Sequence, residues 1–525
     1  MARLAAALLF LNASLTFQSL WPTPAVRWTG ELSIELAAVT LVAILAVGLG
    51  LRLSAGRAAR AIAIVWLVLV LGRYGDVTAQ ALYGRDINLY WDLRFMPDVA
   101  SMLVRAAPIW LVLAVLVAAV LAVALLYTVI RWAVARLLAA IEVPSLRVAL
   151  GALAVLFIAA FAREQPRNLD AHERWFPTPI TTTYWRQARL AVDALGGGRA
   201  VPASPPMNSD LSRVYGADVI LMFLESYGAV TYDRPEFAAS LEGARGELAE
   251  AIRASGRQSV SAFVESPTFG GESWLAHISL MSGVEVRDPH TNAVLMTQHR
   301  DTLVDAFSRG GYRTFATMPG LWWDWPEGSF YGFDDIYGAL RLDYHGPQFG
   351  WFTLTDQFAL ARIDALEIAR QPRPPLFTFF PTVSTHTPFM PTPPYQPDWT
   401  RIFDEHPYDP RELDRSFEEE PDWLNLGPGY VKAVAYSYRT LAGYLRLRAD
   451  RDLVVILIGD HQPPAAVSGE RAPWDVPVHV IASRGELLAH LRSRGFVDGL
   501  TPTRPILGRM HELLPVLLKA FGEPK

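Results

Sequence analysis

The sequence predicts an α-helical transmembrane bundle of about five spans, followed by an α/β domain with a mostly parallel central sheet. Three observations carry that expectation. Of 525 residues, 51% are hydrophobic and 19% charged, and the apolar surplus crowds into the first third. Five uninterrupted apolar runs lie within that third. Beyond about residue 216, short apolar runs alternate with helical patterns, as they do where crossover helices join buried strands.

The runs are 5–20, 33–53, 61–72, 109–130 and 145–162. Most approach the ~20 residues that cross a bilayer as a helix. Arg52, Arg57 and Arg60 crowd one short connection and Arg131, Arg136 and Arg147 another, so the positive-inside rule places both in the cytoplasm, with Arg3 in agreement. The loop from Arg73 to Arg105 dilutes its arginines with Asp76, Asp86, Asp92 and Asp98. An odd number of spans then puts everything after about Arg163 outside. Thr181–Leu195, with Tyr184 and Trp185, has the pattern of an amphipathic helix lying at a membrane surface. Gly196-Gly197-Gly198 stops it, and the Pro/Ser-rich Val201–Ser209 follows as a linker. The expected division is 1–165 transmembrane, 166–215 interfacial helix and linker, and 216–525 external domain.

Composition removes several function classes. With no cysteine there is no disulfide, thiolate metal site, iron–sulfur cluster or Cys nucleophile. A net charge of −5 without a Lys/Arg tract gives no nucleic-acid partner. The spans carry few ionisable residues, which disfavours a transporter.

In the external domain, Val219–Leu224, Leu376–Phe380 and Val454–Ile458 are the expected buried strands. Helices are expected at 236–254, 273–283, 301–309, 353–369, 428–448 and 508–521. The acidic, proline-rich stretch Pro391–Pro428 breaks the rhythm and is expected as a surface insertion near the mouth of the site. Ligands of open α/β sheets collect at the carboxyl ends of strands. At those ends stand Glu225-Ser226, Asp460-His461 and, after Pro381, Ser384-Thr385-His386-Thr387-Pro388. Singly, each has a plain explanation as a helix-start residue, a turn or a loop cap. Together, Glu225, Asp460 and His461 form a mixed oxygen/nitrogen set suited to one divalent cation: Mn²⁺ first, with Zn²⁺ or Mg²⁺ as alternatives. In Pro267-Thr268-Phe269-Gly270-Gly271-Glu272-Ser273-Trp274, two glycines allow close backbone approach to a ligand, and Ser273 opens a helix whose N-terminus favours an anion such as phosphate. Ser273 is then either a metal-activated nucleophile or only a helix cap.

The ordered set Leu224-Glu225-Ser226, Gly270-Gly271-Glu272-Ser273, Ser384-Thr385-His386-Thr387-Pro388-Phe389 and Gly459-Asp460-His461-Gln462-Pro463 resembles the alkaline phosphatase/sulfatase superfamily. Within it, the resemblance is to the membrane-anchored branch of lipoteichoic acid synthases and of phosphoglycerol and phosphoethanolamine transferases. It implies Glu225, Ser273, Asp460 and His461 as metal ligands, Ser273 as the covalent nucleophile where the branch usually has Thr, and His386 as a catalytic contact to the phosphoryl group or leaving oxygen. It implies Trp323, within Trp322-Trp323-Asp324-Trp325, and Trp274 as substrate-binding residues beside His386. Trp325 stands where lipoteichoic acid synthases carry Arg. Leu275 and His277 do not fit the pattern that matures Ser or Cys to formylglycine, which disfavours ordinary sulfate-ester hydrolysis.

The implied protein is a multi-pass enzyme of the bacterial inner membrane, its catalytic domain facing the periplasm. It would move a phospholipid head group, phosphoglycerol or phosphoethanolamine, to a glycan or lipid acceptor through a phosphoseryl intermediate. Phosphodiester or sulfuric ester hydrolysis uses the same residues and stays open, as does an inactive membrane scaffold.

Overall fold

The computed structural model describes the chain except residues 22, 52–55, 85, 94–108, 165–173, 197–200, 323–324, 326–327, 351 and 525. It divides into two compact units, Met1–Gly196 and Gly197–Lys525.

The first unit is helical: Ala2–Thr16, Ile34–Gly48, Gly56–Tyr83, Ile109–Glu142, Pro144–Glu164 and Ile180–Gly196. Each apolar run thus has a helix over most of its described length. Among the described residues three helices, at 56–82, 109–142 and 144–164, are long and apolar enough to cross a membrane, while Ala2–Thr16 and Ile34–Gly48 are shorter apolar helices. The first run is not one continuous span, because the chain leaves the helix at Thr16 and pairs β1 (Phe17–Ser19) with β2 (Val26–Trp28). The Trp28 indole donates to Thr16 Oγ1 at that exit. Six arginines assigned to connections are helical instead: Arg57, Arg60 and Arg73 lie in 56–83, Arg131 and Arg136 in 109–142, and Arg147 in 144–164. Arg131 and Arg136 extend the fourth helix, whose last turns bury Ile130, Val134, Leu137 and Ile141. Arg73 is buried in the third, donating to the carbonyls of Phe17 and Thr178. The outer part of 109–142 leaves Leu113, Leu116, Val117, Val120 and Leu121 exposed. An apolar face of that kind suits hydrocarbon, not water. In the helix 180–196, Tyr184 donates to the Val68 carbonyl while Trp185 is exposed.

The second unit is built on an eight-stranded sheet. Its strands are β3 (Asp218–Leu224), β4 (Gln258–Glu265), β5 (Arg313–Met318), β6 (Asp335–Gly338), β7 (Leu376–Pro381), β8 (Leu453–Gly459), β9 (Asp475–Ala482) and β10 (Val497–Asp498), in the order β10-β4-β9-β8-β3-β7-β5-β6. The five strands from β8 to β6 are parallel, and β9, β4 and β10 add an antiparallel arm. Alternate side chains of β3 feed opposite cores. Val219, Leu221 and Phe223 pack with the helices Ser273–Ser282 and Met510–Phe521; Ile220, Met222 and Leu224 pack with Pro235–Ala254 and Gly427–Leu447. Helices therefore cover both faces, and β3 is buried along its whole length.

Helix ends differ from expectation by a few residues, for reasons of capping. Thr302 and Asp305 form a reciprocal capping box, so that helix starts at Leu303. Thr355 caps Asp356–Ile363, and the chain continues as a wider π turn over Asp364–Ile368. The stretch after Val201 is partly packed: Met207, Leu211 and Val214 are buried in the first core. The 391–428 stretch is likewise anchored, with Trp399, Ile402 and Tyr408 in the second core and a short helix at Pro410–Glu418. Between it and the helix 427–447 lies a cleft of about 470 Å³ lined by Tyr395, Arg415, Lys432 and Arg439 among others.

Candidate metal centre

Strand register brings the chemistry together. Leu224 pairs with Gly459 and Phe223 with Pro381, so the residues that follow, Glu225, Asp460 and Thr382, leave the sheet side by side at one carboxyl edge. Gly459 is needed there because a Cβ on it would lie 1.9 Å from the Tyr227 carbonyl oxygen. The turns are then tied to one another. Asp460 Oδ1 accepts from the backbone N–H of Ser226 (2.8 Å) and of His461 (2.6 Å), and Ser266 Oγ donates to the Asp460 carbonyl.

Ser273 arrives from the other direction. Gly270, Gly271 and Glu272 all have positive φ, at 67°, 150° and 60°, which turns the chain sharply into the helix 273–282. A non-glycine residue in that left-handed region carries strain of the kind found at functional turns. Glu272, not Ser273, is the capping position, and Ser273 is the first helical residue. Its hydroxyl is engaged elsewhere. Ser273 Oγ donates to Glu225 Oε2 at 2.8 Å and lies 3.2 Å from His461 Nε2.

Glu225, Asp460 and His461 each present a ligand atom, all within 4.8 Å of one another, and are nearly or fully buried. His461 Nδ1 lies 2.7 Å from the Gln462 carbonyl oxygen. That contact makes Nδ1 the protonated nitrogen and leaves the Nε2 lone pair as a ligand. Burial works to raise the Glu225 carboxyl, but the His461 and His386 imidazoles and hydrogen bonds from Asp460 and Ser273 outweigh it and hold the group down at about 2. Asp460 goes the other way, pushed well above the usual carboxylate range by burial first and by the Glu225 charge second. Two buried carboxylates that cannot both ionise comfortably are electrostatically matched to a cation. Two carboxylates, an imidazole and a hydroxyl fit a hard or borderline divalent ion.

His386 follows β7 on a loop bonded to the same edge. The Glu225 N–H donates to Thr382 Oγ1 (3.1 Å) and Thr385 Oγ1 donates to the Glu225 carbonyl (2.6 Å). His386 Nδ1 lies 2.7 Å from the Thr387 carbonyl oxygen, and its ring meets Phe352 edge-on at 5.0 Å. Of the aromatic candidates, Trp274 is half-buried against the first core. Trp323 lies outside the described residues, as does Asp324. Trp325 packs on Tyr331 at 5.3 Å.

Sequence reasoning passed over three groups. Thr382 and Thr385 flank the His386 motif in plain view. His277, one turn after Ser273 and so on the same helix face, is wedged between Phe223 (4.6 Å) and Phe379 (5.2 Å), and burial pushes its imidazole down to about 3. Behind the Glu225 turn, Tyr227 Oη contacts Tyr438 Oη (2.6 Å), Tyr232 Oη (2.7 Å) and His479 Nε2 (2.9 Å), a buried network without a local sequence signal.

Residues 277–477 match the family model described as Sulfatase, a stretch that contains His386, Asp460 and His461 and begins four positions after Ser273. No curated protein matches the chain in sequence. Among solved structures, the integral membrane lipooligosaccharide phosphoethanolamine transferase A (EptA) of Neisseria meningitidis is similar at 14% identity, covering 92% of this chain and 88% of its own, with a TM-score of 0.45. The lipoteichoic acid synthase LtaP of Listeria monocytogenes is similar at 15% identity over 64% of this chain and 78% of its own (TM-score 0.41). The Streptococcus pyogenes phosphoglycerol transferase GacH, solved with sn-glycerol-1-phosphate, is similar at 13% identity over 65% and 91% (TM-score 0.34). The Sulfatase match thus falls on the part of the second unit that carries His386, Asp460 and His461, in keeping with the motif order and the sheet-edge cluster.

Proposed function

We propose that this protein is a metal-dependent, membrane-bound phosphotransferase that moves a phospholipid head group to an extracytoplasmic glycan or lipid. One observation carries the reading: the Ser273 hydroxyl sits 2.8 Å from Glu225 and 3.2 Å from His461, inside the Glu225–Asp460–His461 cluster. A serine held only for helix capping would have no reason to face that cluster.

Glu225, Asp460, His461 and Ser273 would hold one divalent ion, with Mn²⁺ the first choice. When bound, that ion supplies Lewis-acid polarisation and favours an ionised hydroxyl. Ser273 Oγ gives its proton up to solvent and attacks the phosphodiester phosphorus. The bond from phosphorus to the diacylglycerol oxygen breaks, and His386, acting in its protonated form, offsets the charge developing on that oxygen and gives it a proton. An acceptor hydroxyl then attacks the phosphoseryl phosphorus while its proton passes to the neutral His386; the P–Oγ bond breaks and Ser273 Oγ takes a proton from solvent, which restores both residues. A phospholipid is the natural donor, because no nucleotide triphosphate pool exists outside the cytoplasm. In this reading the helices 56–82, 109–142 and 144–164 keep the domain at a bacterial inner membrane, facing the periplasm. Water in place of the acceptor gives the phosphodiesterase alternative with the same residues.

The test is diacylglycerol release by the detergent-purified protein from labelled phosphatidylglycerol and phosphatidylethanolamine with Mn²⁺. Release that Ser273→Ala abolishes, with transfer to an added glycan or lipid acceptor, supports the reading and names the donor. Equal release by wild type and variant, or none from either lipid, contradicts it.

A further inference from the structure

We propose that Asp356 is a positioning residue for His386: its buried carboxylate clamps the loop after β7 and thereby sets where the imidazole stands relative to Glu225 and Ser273. The inference rests on the role given to His386 above. Asp356 is 2% exposed, at the start of the helix 356–363. One carboxylate oxygen accepts from the Val383 N–H at 2.7 Å, the other from the Ser384 N–H at 3.0 Å. Its own backbone N–H donates to Ser384 Oγ at 3.2 Å. Three bonds therefore fix two consecutive residues immediately upstream of Thr385 and His386.

The opposite side of the same loop is bonded to the metal-cluster turn. Thr382 N–H donates to the Phe223 carbonyl, the Glu225 N–H donates to Thr382 Oγ1, and Thr385 Oγ1 donates to the Glu225 carbonyl. His386 N–H closes a turn on the Val383 carbonyl at 3.1 Å. The loop is thus a bridge with Glu225 on one side and Asp356 on the other, and His386 is carried at its end. Beyond Thr382 the loop has left the sheet, so the N–H groups of Val383 and Ser384 need another acceptor. Burial pushes the Asp356 carboxyl up to about 6, against the loop hydrogen bonds that lower it. A buried acid in that position is kept at a cost, which a purely space-filling role would not require.

The test separates positioning from general damage by leaving-group dependence. Wild type, Asp356→Asn, Ser384→Ala and Ser273→Ala, all full-length in detergent with Mn²⁺, are assayed on bis(4-nitrophenyl) phosphate and on diphenyl phosphate, whose phenolate is the poorer leaving group. A group that assists the leaving oxygen matters more for the poorer one. Asp356→Asn should lower kcat on the phenyl ester about tenfold or more. On the nitrophenyl ester the loss should be at least threefold smaller, with KM and metal content unchanged. Ser384→Ala, which leaves the buried carboxylate intact, should move both rates in the same direction by a smaller factor. Equal losses on the two esters, or no loss in either variant, overturn the positioning role while leaving the phosphotransferase reading in place. Absence of Ser273-dependent turnover of either ester by the wild type overturns both.

Discussion

At the scale of single residues, the account turns on two buried carboxylates that share one small space. Burial and the Glu225 charge together push Asp460 up, while Glu225 is held at about 2 by its imidazole and hydroxyl neighbours. Removing one charge should therefore act oppositely with and without metal. In metal-free protein Asp460→Asn should raise the thermal midpoint. With Mn²⁺ present it should abolish the metal-induced increase seen in the wild type, and elemental analysis should find no bound ion. A variant that binds metal normally and melts like wild type in both states would remove Asp460 from the site. Glu225, Asp460 and His461 were legible because Glu225 and the Asp460-His461 pair directly follow buried apolar strands. Asp356, Thr382 and Thr385 were not, because they act through contacts with segments up to 160 residues away that no local pattern encodes.

Elements hold that geometry through close approach and buried polar contacts. Gly459 ends β8 against the Tyr227 carbonyl, so Gly459→Ala must displace the turn that carries Glu225. The expected loss is about 1–3 kcal/mol of stability, with weakened Mn²⁺ binding measured by calorimetry; unchanged affinity would detach the metal site from this contact. On β9, burial pushes the His479 imidazole down to about 3, and Arg245 acts in the same direction. The unfolded imidazole titrates near 6.5, so below that pH the unfolded chain binds a proton that the folded chain does not. This contribution is complete above pH 6.5 and fades as pH falls toward 3, a loss of about 2 kcal/mol by pH 5. Thermal midpoints against pH should show that slope in the wild type and a shallower one in His479→Gln; identical slopes would contradict it. The sequence's strand and helix periodicities located the three central strands and most helices of the second unit. They did not single out β4, β5, β6, β9 or β10 as strands, nor the antiparallel direction of β9, β4 and β10, since pairing direction is set by which edges meet. They also ran the first apolar segment through Phe17, where apolar β-branched and aromatic residues suit a short hairpin as well as a helix.

For the whole molecule, the proposed reading is a membrane-held enzyme whose second unit faces away from the cytoplasm. The family match covers residues 277–477 of the second unit, and among the described residues three helices of the first are long and apolar enough to span. The proposed sidedness rests on arginine placement. The displacement of Arg131, Arg136 and Arg73 onto helices leaves Arg57 and Arg60 at the start of one long helix and Arg147 beside the end of another, where it donates to the Ile141 carbonyl at 2.7 Å. A reporter enzyme that works only outside the cytoplasm, fused after Lys525, should be active, and a reporter that works only inside should be silent. The reverse pattern would invert the topology.

The central claim is that Ser273 becomes covalently bonded to phosphorus. The most direct measurement is intact-protein and peptide mass spectrometry after rapid quench of the full chain with Mn²⁺ and either phosphatidylglycerol or phosphatidylethanolamine. The account predicts a head-group phosphate adduct on the peptide containing Ser273, present with one of the lipids and absent from Ser273→Ala. Diacylglycerol release that proceeds with no adduct, or an adduct on another residue, would contradict it.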